Sequence, residues 1–213
     1  MKQFIRPGMV FIDVGAFVGF YSILAASLGA RVIALEPDPR NFRILLFNIE
    51  LNGKEMKERI LAINAAVGAN EGFLTIKLAD SLAETSATNY LGNDRVVGVI
   101  KVPLLSLDTL VRSQGLQRVD AIKIDVEGAG YDVVKGASSI IRKFRPHIIL
   151  EVHGWVHGNE FRVFKLLNEK FNYSYKILEF RDQRNFILYL KPRMGFTSDS
   201  SLMNKETFSI NCP

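Results

Sequence analysis

The sequence contains little of several residue types on which particular classes of protein depend. Its 213 residues include one cysteine, Cys212, so the chain can form no intrachain disulfide, and nothing favours an oxidising compartment. Of its three histidines, His153 and His157 lie in a Gly-Trp-Val loop rather than on one helix face, so we expect no metal site. The chain also lacks low-complexity tracts, internal repeats and sustained heptads. With 48% hydrophobic residues, this excludes a disordered, collagen-like or coiled-coil protein.

Long hydrophobic runs are also scarce. The uncharged stretch from Val14 to Ala30 lies at the lower length limit for a helix that crosses a bilayer, and it is interrupted by Gly15, Gly19 and Gly29. A buried strand end, a turn and a core helix explain it better. The residues before Asp13 lack the apolar segment of a signal peptide. We therefore expect a soluble, cytoplasmic protein with no membrane span.

The net charge of +5 is unevenly distributed along the chain. Residues 101–213 contain 17 basic and 12 acidic side chains, whereas residues 1–100 contain 10 of each. The basic residues are scattered between Arg142 and Arg193 rather than massed in one run. Ordinary solvated helix faces are the favoured explanation, and an anionic partner such as RNA stays open as an alternative.

Short apolar runs alternate with helical stretches along most of the chain. Such runs are typical of strands buried on both faces of a parallel sheet, and the alternation favours a doubly wound α/β fold. The predicted strands are Met9–Val14, Arg31–Leu35, Ile60–Ala66, Ala121–Val126 and His147–Val152. The predicted helices are Gly19–Leu28, Pro39–Leu51, Tyr131–Phe144 and Glu160–Phe171.

Two regions depart from this alternation. Predicted strands at Gly72–Ala79 and Arg95–Val102 flank a long polar loop, and a short helix capped by Ser106 or Asp108 follows. Further on, strands at Tyr175–Arg181 and Asn185–Lys191 predict an antiparallel hairpin. We expect a single domain over residues 1–193, with inserted strands and a loop at about 72–103, and a flexible tail over residues 194–213.

Polar side chains stand where the predicted parallel strands end. They are Asp13, Glu36, Asn64, Asp125 and His153. Because ligands of open α/β sheets bind at the carboxyl ends of the strands, we expect these five residues to converge on one site.

The first strand end opens a turn that is typical of nucleotide-binding folds. The segment Asp13-Val14-Gly15-Ala16-Phe17-Val18-Gly19 follows a strand and begins a helix, and its glycines allow close backbone approach. Asp13 occupies the position of the first glycine of the dinucleotide fingerprint, and its carboxylate would repel a pyrophosphate. A cationic ligand without phosphate, such as S-adenosylmethionine, fits this charge better than NAD or FAD.

The next two strand ends suit the nucleoside part of such a ligand. Glu36 follows Gly15 by 21 residues, a spacing at which an acidic residue accepts hydrogen bonds from a ribose diol. Its alternative role is a charge at the start of the helix that Pro37 opens. Asn64, with Ala65 beside it, is placed to meet an adenine edge, although asparagine is also a common turn residue.

Several of these segments resemble class I S-adenosylmethionine-dependent methyltransferases. The runs concerned are Val10–Ala16, Ala34–Pro37 and Asn64–Gly68. Three later runs, Leu105–Leu110, Asp120–Gly128 and Ile149–His153, resemble the FkbM family within that class. The resemblance covers most of residues 9–155. It implies a Rossmann-like, seven-stranded, mostly parallel sheet with an antiparallel C-terminal hairpin.

The resemblance also implies S-adenosylmethionine as the cofactor and a role for each strand end. It assigns cofactor binding to Asp13, Gly15, Ala16, Phe17, Gly19, Glu36, Pro37, Asn64 and Ala65. Phe17 is a departure, since the family often has asparagine there. Asp125 is expected to face the transferred methyl group and the acceptor. Glu127 is either a site residue or a helix cap, and His153 is either a general base or a hydrogen-bonded wall residue.

The residues after Asp125 bear on the acceptor. The motif Asn-Pro-Pro-Tyr, which favours amino groups of nucleobases, is replaced by Asp-Val-Glu-Gly. By the resemblance, we expect an oxygen acceptor on a small molecule or a sugar. Two alternatives stay open: an RNA or protein methyltransferase that uses the basic C-terminal half, and a non-catalytic module that only binds S-adenosylmethionine.

Overall fold

The computed structural model describes residues 4–80, 95–126, 128–153, 159–180 and 185–193. The strands in this part of the chain are β1 (Val10–Val14), β2 (Arg31–Leu35), β3 (Ile60–Ile63), β4 (Ala66–Val67), β5 (Gly72–Ala79), β6 (Val96–Leu105), β7 (Ala121–Ile124), β8 (His147–His153), β9 (Tyr173–Phe180) and β10 (Asn185–Pro192). The helices are α1 (Phe20–Ser27), α2 (Pro39–Leu51), α3 (Lys54–Arg59), α4 (Leu107–Ser113), α5 (Gly130–Gly136), α6 (Ser138–Phe144) and α7 (Asn159–Lys165). A π-helical turn, Leu166–Lys170, continues α7.

Seven strands form one sheet in the order β3-β2-β1-β7-β8-β10-β9. The pairs from β3 across to β8 are parallel, whereas β10 is antiparallel to both β8 and β9. The predicted fold class, a doubly wound and mostly parallel seven-stranded sheet with a C-terminal antiparallel hairpin, is confirmed. The strand order reverses between β1 and β7, which is where a ligand site is expected in such a sheet.

Helices cover both faces of this sheet, so successive strand residues are buried in different cores. Phe11 of β1 and Ala121 of β7 pack with residues of α1, α2 and α3. Ile12 and Ile122, one residue further on, pack with residues of α4 to α7. Side chains two residues apart share a face of a strand, so Asp13 and Lys123 continue the first series. Two charged groups are thereby placed on the α1 face of the sheet.

The remaining strands form a separate three-stranded sheet in the order β4-β6-β5. Its β5–β6 hairpin matches the strand pair predicted at this position, with β6 longer than expected. The sheet is tied to the main domain by the Arg40 guanidinium, which donates a hydrogen bond of 2.8 Å to the Ala79 carbonyl oxygen.

The predicted helix Tyr131–Phe144 is wrong in extent, because the chain forms two helices broken at Ala137. The carboxylate of Asp108 accepts hydrogen bonds from the backbone N–H groups of Ser139 and Ile140, at 2.9 and 3.0 Å. Asp108 thus caps the start of α6 from another helix. Ser106 is the cap of α4, since its hydroxyl accepts a hydrogen bond of 3.2 Å from the Thr109 N–H.

Other elements also differ from the predictions. The predicted strand Ile60–Ala66 divides into β3 and β4, which belong to different sheets. Helix α3 was not predicted, although Glu55 and Arg59 have the i,i+4 spacing of a helix and form an ion pair of 3.0 Å. The regular part of the predicted helix Glu160–Phe171 ends at Lys165.

Some predictions fall on residues outside the described part of the chain. They are the polar loop at residues 81–94, the hairpin turn at 181–184 and the tail at 194–213. Among the described residues, no helix is both long enough and apolar enough to span a membrane.

Candidate active site

The turn after β1 requires glycine at position 15 because two backbone segments approach each other there. Gly15 has φ +75°, and a Cβ atom on it would lie 1.9 Å from the backbone oxygen of Asp125. The Gly15 N–H donates to the Leu35 carbonyl oxygen at 3.0 Å, so the turn also holds to β2. Gly15 therefore lets the loop after β1 lie against the loop after β7. The sequence predicted that the backbone at Gly15 lies close to a ligand. The structure shows that it also lies close to the backbone of Asp125, at the end of the neighbouring strand.

The start of α1 completes the same turn. Gly19 is the N-cap residue with φ 91°, and a Cβ atom there would lie 2.4 Å from Leu45 Cδ1 of α2. Ala16 is buried, and its N–H donates to the Leu35 carbonyl oxygen at 2.9 Å. The turn is thus packed from both sides by the protein itself.

Phe17 stands at the tip of the turn in an unusual backbone conformation. Its φ is 51°, in the left-handed region, and its side chain is 40% exposed. A bulky residue is rare in this region, whereas asparagine tolerates it, which is consistent with the asparagine often found at this position in the resembling family. A residue held in this region costs roughly 1–3 kcal/mol, and such strain concentrates at ligand sites.

Glu36, which follows β2, stabilises the strained backbone conformation of Phe17. Glu36 Oε2 accepts a hydrogen bond of 2.8 Å from the Phe17 N–H, and Oε1 accepts one of 2.9 Å from the Asp38 N–H. Glu36 is 5% exposed, and burial raises its pKa to about 7, although these backbone hydrogen bonds lower it. The structure therefore brings the predicted ribose-binding carboxylate directly against the predicted cofactor turn.

Asn64 and its neighbours hold this arrangement in place. The Asn64 side-chain amide donates to the carbonyl oxygens of Glu36, at 2.8 Å, and of Pro37, at 3.1 Å. The amide nitrogen expected at an adenine edge is thus engaged with the β2 turn. Ala65 is 1% exposed and lies just beyond β3.

Asp13 is fully buried and lies beneath the turn. Its Oδ2 accepts a hydrogen bond of 2.7 Å from the Ser22 hydroxyl of α1, and its Oδ1 lies 3.5 Å from Lys123 Nζ. Burial raises the pKa of Asp13, and the Lys123 ammonium and the Ser22 hydroxyl offset only part of that effect. Because Asp13 is 0% exposed, its carboxylate does not reach the surface of the site, and it influences a ligand there through Lys123.

Lys123 is the group that joins the strand ends, and the sequence interpretation assigned it no role. Its ammonium lies 2.9 Å from Asp125 Oδ2, 3.4 Å from the Gly15 carbonyl oxygen and 5.0 Å from the centre of the Tyr21 ring. Burial lowers the pKa of Lys123, but the charges of Asp13, Asp125 and Glu151 outweigh burial and raise it above its ordinary value. A stable ammonium is therefore held between the two strand ends.

The sequence contained a signal for this cluster. Lys123 and Glu151 are charged residues within the apolar runs of β7 and β8, and they are 3% and 6% exposed. A buried charge is costly unless it is paired, so two isolated charges of opposite sign in neighbouring buried strands indicate a pair or a site.

A cleft opens beside this cluster on the α1 face of the sheet, with a volume of about 120 Å³. Its polar and aromatic lining consists of Tyr21, Lys123, Glu151 and Glu179, and its apolar lining consists of Ile149, Leu178 and Ile187. Leu178 and Glu179 both line it because the β9–β10 register shifts between Ile187 and Leu188, which leaves Leu178 unpaired.

The predicted catalytic residue Asp125 is not part of the cleft lining, but it forms an ion pair with Lys123, which is. The Asp125 side chain is 28% exposed, so it is accessible to a ligand. Glu127 and the side chain of His153, the other two predicted catalytic groups, lie outside what the structure describes. The backbone of His153 forms the end of β8, as expected.

The predicted cofactor fits the groups present in the turn. Two carboxylates, Asp13 and Glu36, lie under and beside it, whereas the ammonium of Lys123 is matched by Asp13 and Asp125. The carboxylates around the turn outnumber the ammonium, and this negative charge suits a cationic nucleoside without phosphate. The sheet has the Rossmann-like form that the resemblance to class I methyltransferases implies, and acidic residues lie at the carboxyl ends of β1, β2 and β7. The fold and the site therefore agree with that class.

Comparison with known proteins narrows this class to a family. The methyltransferase FkbM domain matches residues 13–191, so the chain belongs to the FkbM family, as the sequence predicted, and has S-adenosylmethionine as its cofactor. The hexuronic acid methyltransferase AglP of Haloferax volcanii is 25% identical over 83% of this chain and 68% of AglP.

Solved structures agree with the fold. The crystal structure of methyltransferase FkbM from Methylobacillus flagellatus KT has a TM-score of 0.62 at 15% identity, covering 89% of this chain and 49% of that one. TrmK of M. capricolum, solved with S-adenosyl-homocysteine, has a TM-score of 0.55 at 14% identity, covering 91% and 66%. The chain therefore spans about half of the FkbM protein in that crystal structure.

Proposed function

We propose that this chain transfers a methyl group from S-adenosylmethionine to a hydroxyl of a small molecule or a sugar. The observation that supports this most strongly is the position of Lys123. Its ammonium contacts the cofactor turn at Gly15 and the predicted catalytic residue Asp125, and it also lines the cleft. The cofactor side and the acceptor side of the site thus meet at one charged group.

On the cofactor side, the residues that would hold S-adenosylmethionine are the turn from Gly15 to Gly19, the Glu36-Pro37 pair and the Asn64-Ala65 pair. When bound, S-adenosylmethionine supplies a methyl group that its sulfonium has already activated. The task of the protein is then to place the acceptor atom correctly, and proximity and orientation contribute roughly 7–11 kcal/mol in favourable systems.

On the acceptor side, Asp125 would position the acceptor hydroxyl. His153 is the proposed base for the hydroxyl proton, and Glu127 is a second candidate group near the same strand end. General-base catalysis contributes on the order of 10²–10⁴ in rate, so its loss is measurable. Asp13 would act as a positioning residue, because it contacts Lys123 rather than the cleft.

The size of the cleft supports a small acceptor. Its volume of about 120 Å³ is many times the roughly 10–15 Å³ that one water molecule requires, so a small organic group can enter it. The name of the Haloferax volcanii relative, a hexuronic acid methyltransferase, supports a sugar.

An acceptor screen tests this function. The protein is incubated with methyl-labelled S-adenosylmethionine and separate panels of sugars, small hydroxyl compounds, RNA and protein, with Asp125→Asn as the matched control. We expect label in the sugar or small-hydroxyl panel and a large loss in the variant. Label only in RNA or protein would favour the alternative that uses the basic C-terminal half.

A further inference from the structure

Arg40, at the start of α2, joins the β5–β6 hairpin to the loop after β2, although the sequence interpretation assigned it no role. We propose that Arg40 is a positioning residue for S-adenosylmethionine, because it holds the hairpin against this loop and so couples the hairpin to cofactor binding. This inference rests on the cofactor side of the proposed function, where Glu36 of the same loop is expected to hold the ribose.

The guanidinium of Arg40 binds both oxygen atoms of the Asp38 carboxylate. Its Nη2 lies 2.7 Å from Oδ2, and its Nε lies 3.1 Å from Oδ1 and 3.2 Å from Oδ2. The Asp38 side chain is 0% exposed, and its Oδ1 also accepts a hydrogen bond of 2.8 Å from the Arg40 N–H as the cap of α2. Bidentate, charge-assisted hydrogen bonds fix direction as well as distance, so they hold the Arg40 fork in one orientation.

The third nitrogen of the guanidinium binds the hairpin. Nη1 donates a hydrogen bond of 2.8 Å to the carbonyl oxygen of Ala79, the last residue of β5. The next residue, Asp80, donates its N–H to the Arg95 carbonyl oxygen at 2.9 Å, which joins the two sides of the hairpin beside Arg40. Because β5 has eight residues, Ala79 lies roughly 23 Å along the strand from Gly72. Arg40 therefore holds the end of β5 that is far from the start of the hairpin.

The start of the hairpin is held by a different contact. Strand β6 pairs with β4, and Gly68, which follows β4, lies against α5. A Cβ atom on Gly136 of α5 would be 2.0 Å from the Gly68 carbonyl oxygen. The hairpin also packs around a small core that includes Ile76 and Val102. A hairpin that is fixed at its start and packed in this way moves as a unit, so the Arg40 contact sets the position of its other end.

On the cofactor side, Asp38 connects Arg40 to the turn through Glu36. The Asp38 N–H donates to Glu36 Oε1 at 2.9 Å, and Glu36 Oε2 accepts a hydrogen bond of 2.8 Å from the Phe17 N–H. Burial raises the pKa of Glu36 most, and the negative charge of Asp38 raises it further. By neutralising Asp38, Arg40 helps Glu36 to stay ionised and to hold the cofactor turn. Loss of the guanidinium would thus disturb the carboxylate that is expected at the ribose.

Calorimetry and hydrogen exchange test the coupling in both directions. In the wild-type protein, we expect S-adenosylhomocysteine to slow the exchange of backbone N–H groups in β5 and β6. Arg40→Met should abolish this slowing and weaken S-adenosylhomocysteine binding by about tenfold, and because linkage is reciprocal the two effects should appear together. Arg40→Lys keeps the charge without the planar fork, so we expect it to leave the slowing absent.

Arg43→Met is the matched control, because Arg43 is an exposed arginine of the same helix. Its Nε donates to the Pro39 carbonyl oxygen at 3.2 Å, within α2. We expect this variant to bind S-adenosylhomocysteine as the wild-type protein does and to keep the slowing in the hairpin. Slow exchange of the central strands β1 and β7 in every variant shows that the main domain is folded.

The outcomes separate this inference from the function on which it rests. Equal exchange of the hairpin with and without S-adenosylhomocysteine in the wild-type protein overturns the inference, and this result requires no variant. Equal affinities of Arg40→Met and Arg43→Met, or full recovery of the slowing in Arg40→Lys, overturn it as well. In all these cases the wild-type protein still binds S-adenosylhomocysteine, so the proposed function stands. A wild-type protein that does not bind S-adenosylhomocysteine contradicts both.

Discussion

Replacing Lys123 with methionine removes the cation that lies between Asp13 and Asp125. Methionine has a similar length and no charge, so the substitution tests the ion pair rather than the packing. The Lys123 and Asp13 side chains are 4% and 0% exposed, and removing one partner of a buried pair costs about 3–5 kcal/mol. Asp13 retains the 2.7 Å hydrogen bond from Ser22, and Asp125 is 28% exposed, so we expect a loss near 3 kcal/mol.

The pH dependence of this loss has a definite sign. Burial already raises the pKa of Asp13, and removal of the ammonium raises it further. The folded variant then binds a proton on Asp13 more tightly than the unfolded chain does, so its free energy of unfolding increases as the pH falls through the Asp13 pKa. The difference from wild type should therefore be largest near neutral pH and smaller in mild acid.

Urea unfolding followed by circular dichroism, at pH 7 and in mild acid, measures both effects. The double variant Asp13→Asn/Lys123→Met removes both charges and should recover most of the lost stability, because the buried Asp13 carboxylate is removed together with its cation. A loss below about 1 kcal/mol for Lys123→Met, or a double variant less stable than the single one, would refute the argument that Lys123 neutralises a buried carboxylate.

Three other substitutions test the remaining parts of the site. Burial raises the pKa of Glu36 to about 7, so the folded state binds the Glu36 proton more tightly than the unfolded chain does. The stability that this proton contributes is lost as the pH rises from about 4.5 through about 7. Glu36→Gln should remove about 3 kcal/mol of this pH dependence in urea titrations, and an unchanged slope would contradict the argument. Gly15→Ala should cost roughly 2–5 kcal/mol of stability in thermal unfolding, because of left-handed backbone strain and a clash with the Asp125 backbone. The control Gly53→Ala, at φ +91° with open space around it, should cost only the backbone strain, roughly 1–2 kcal/mol. Equal losses would argue against the close approach at Gly15. Asp125→Asn should lower kcat much more than it lowers calorimetric affinity for S-adenosylhomocysteine, and a loss confined to affinity would move Asp125 to the cofactor side.

The elements that could be predicted from sequence are those whose pattern is set within one segment. The bounds of β2 and α2 match the prediction because a continuous apolar run and a Pro-opened amphipathic stretch each carry their own limits. The break at Ala137 could not be predicted in the same way. It depends on Asp108, which caps the next helix from about thirty residues earlier in the chain.

The same distinction applies to the site. The strand-end residues Asp13, Glu36 and Asp125 were identifiable because each follows or ends an apolar run. The link between them was not, since Lys123 acquires its role only when β1 and β8 lie on either side of β7. The cleft depends in addition on the register shift that brings both Leu178 and Glu179 to its lining, and such a shift has no mark in the sequence.

The chemical bond made to the transferred methyl group tests the central claim most directly. The protein is supplied with S-adenosylmethionine carrying a carbon-13 methyl group, together with the acceptor found in the screen, and the product is examined by NMR. We expect a methyl carbon bonded to oxygen on a small molecule or sugar, and much less of this product with Asp125→Asn. A methyl carbon bonded to nitrogen, or label only in RNA or protein, would contradict it.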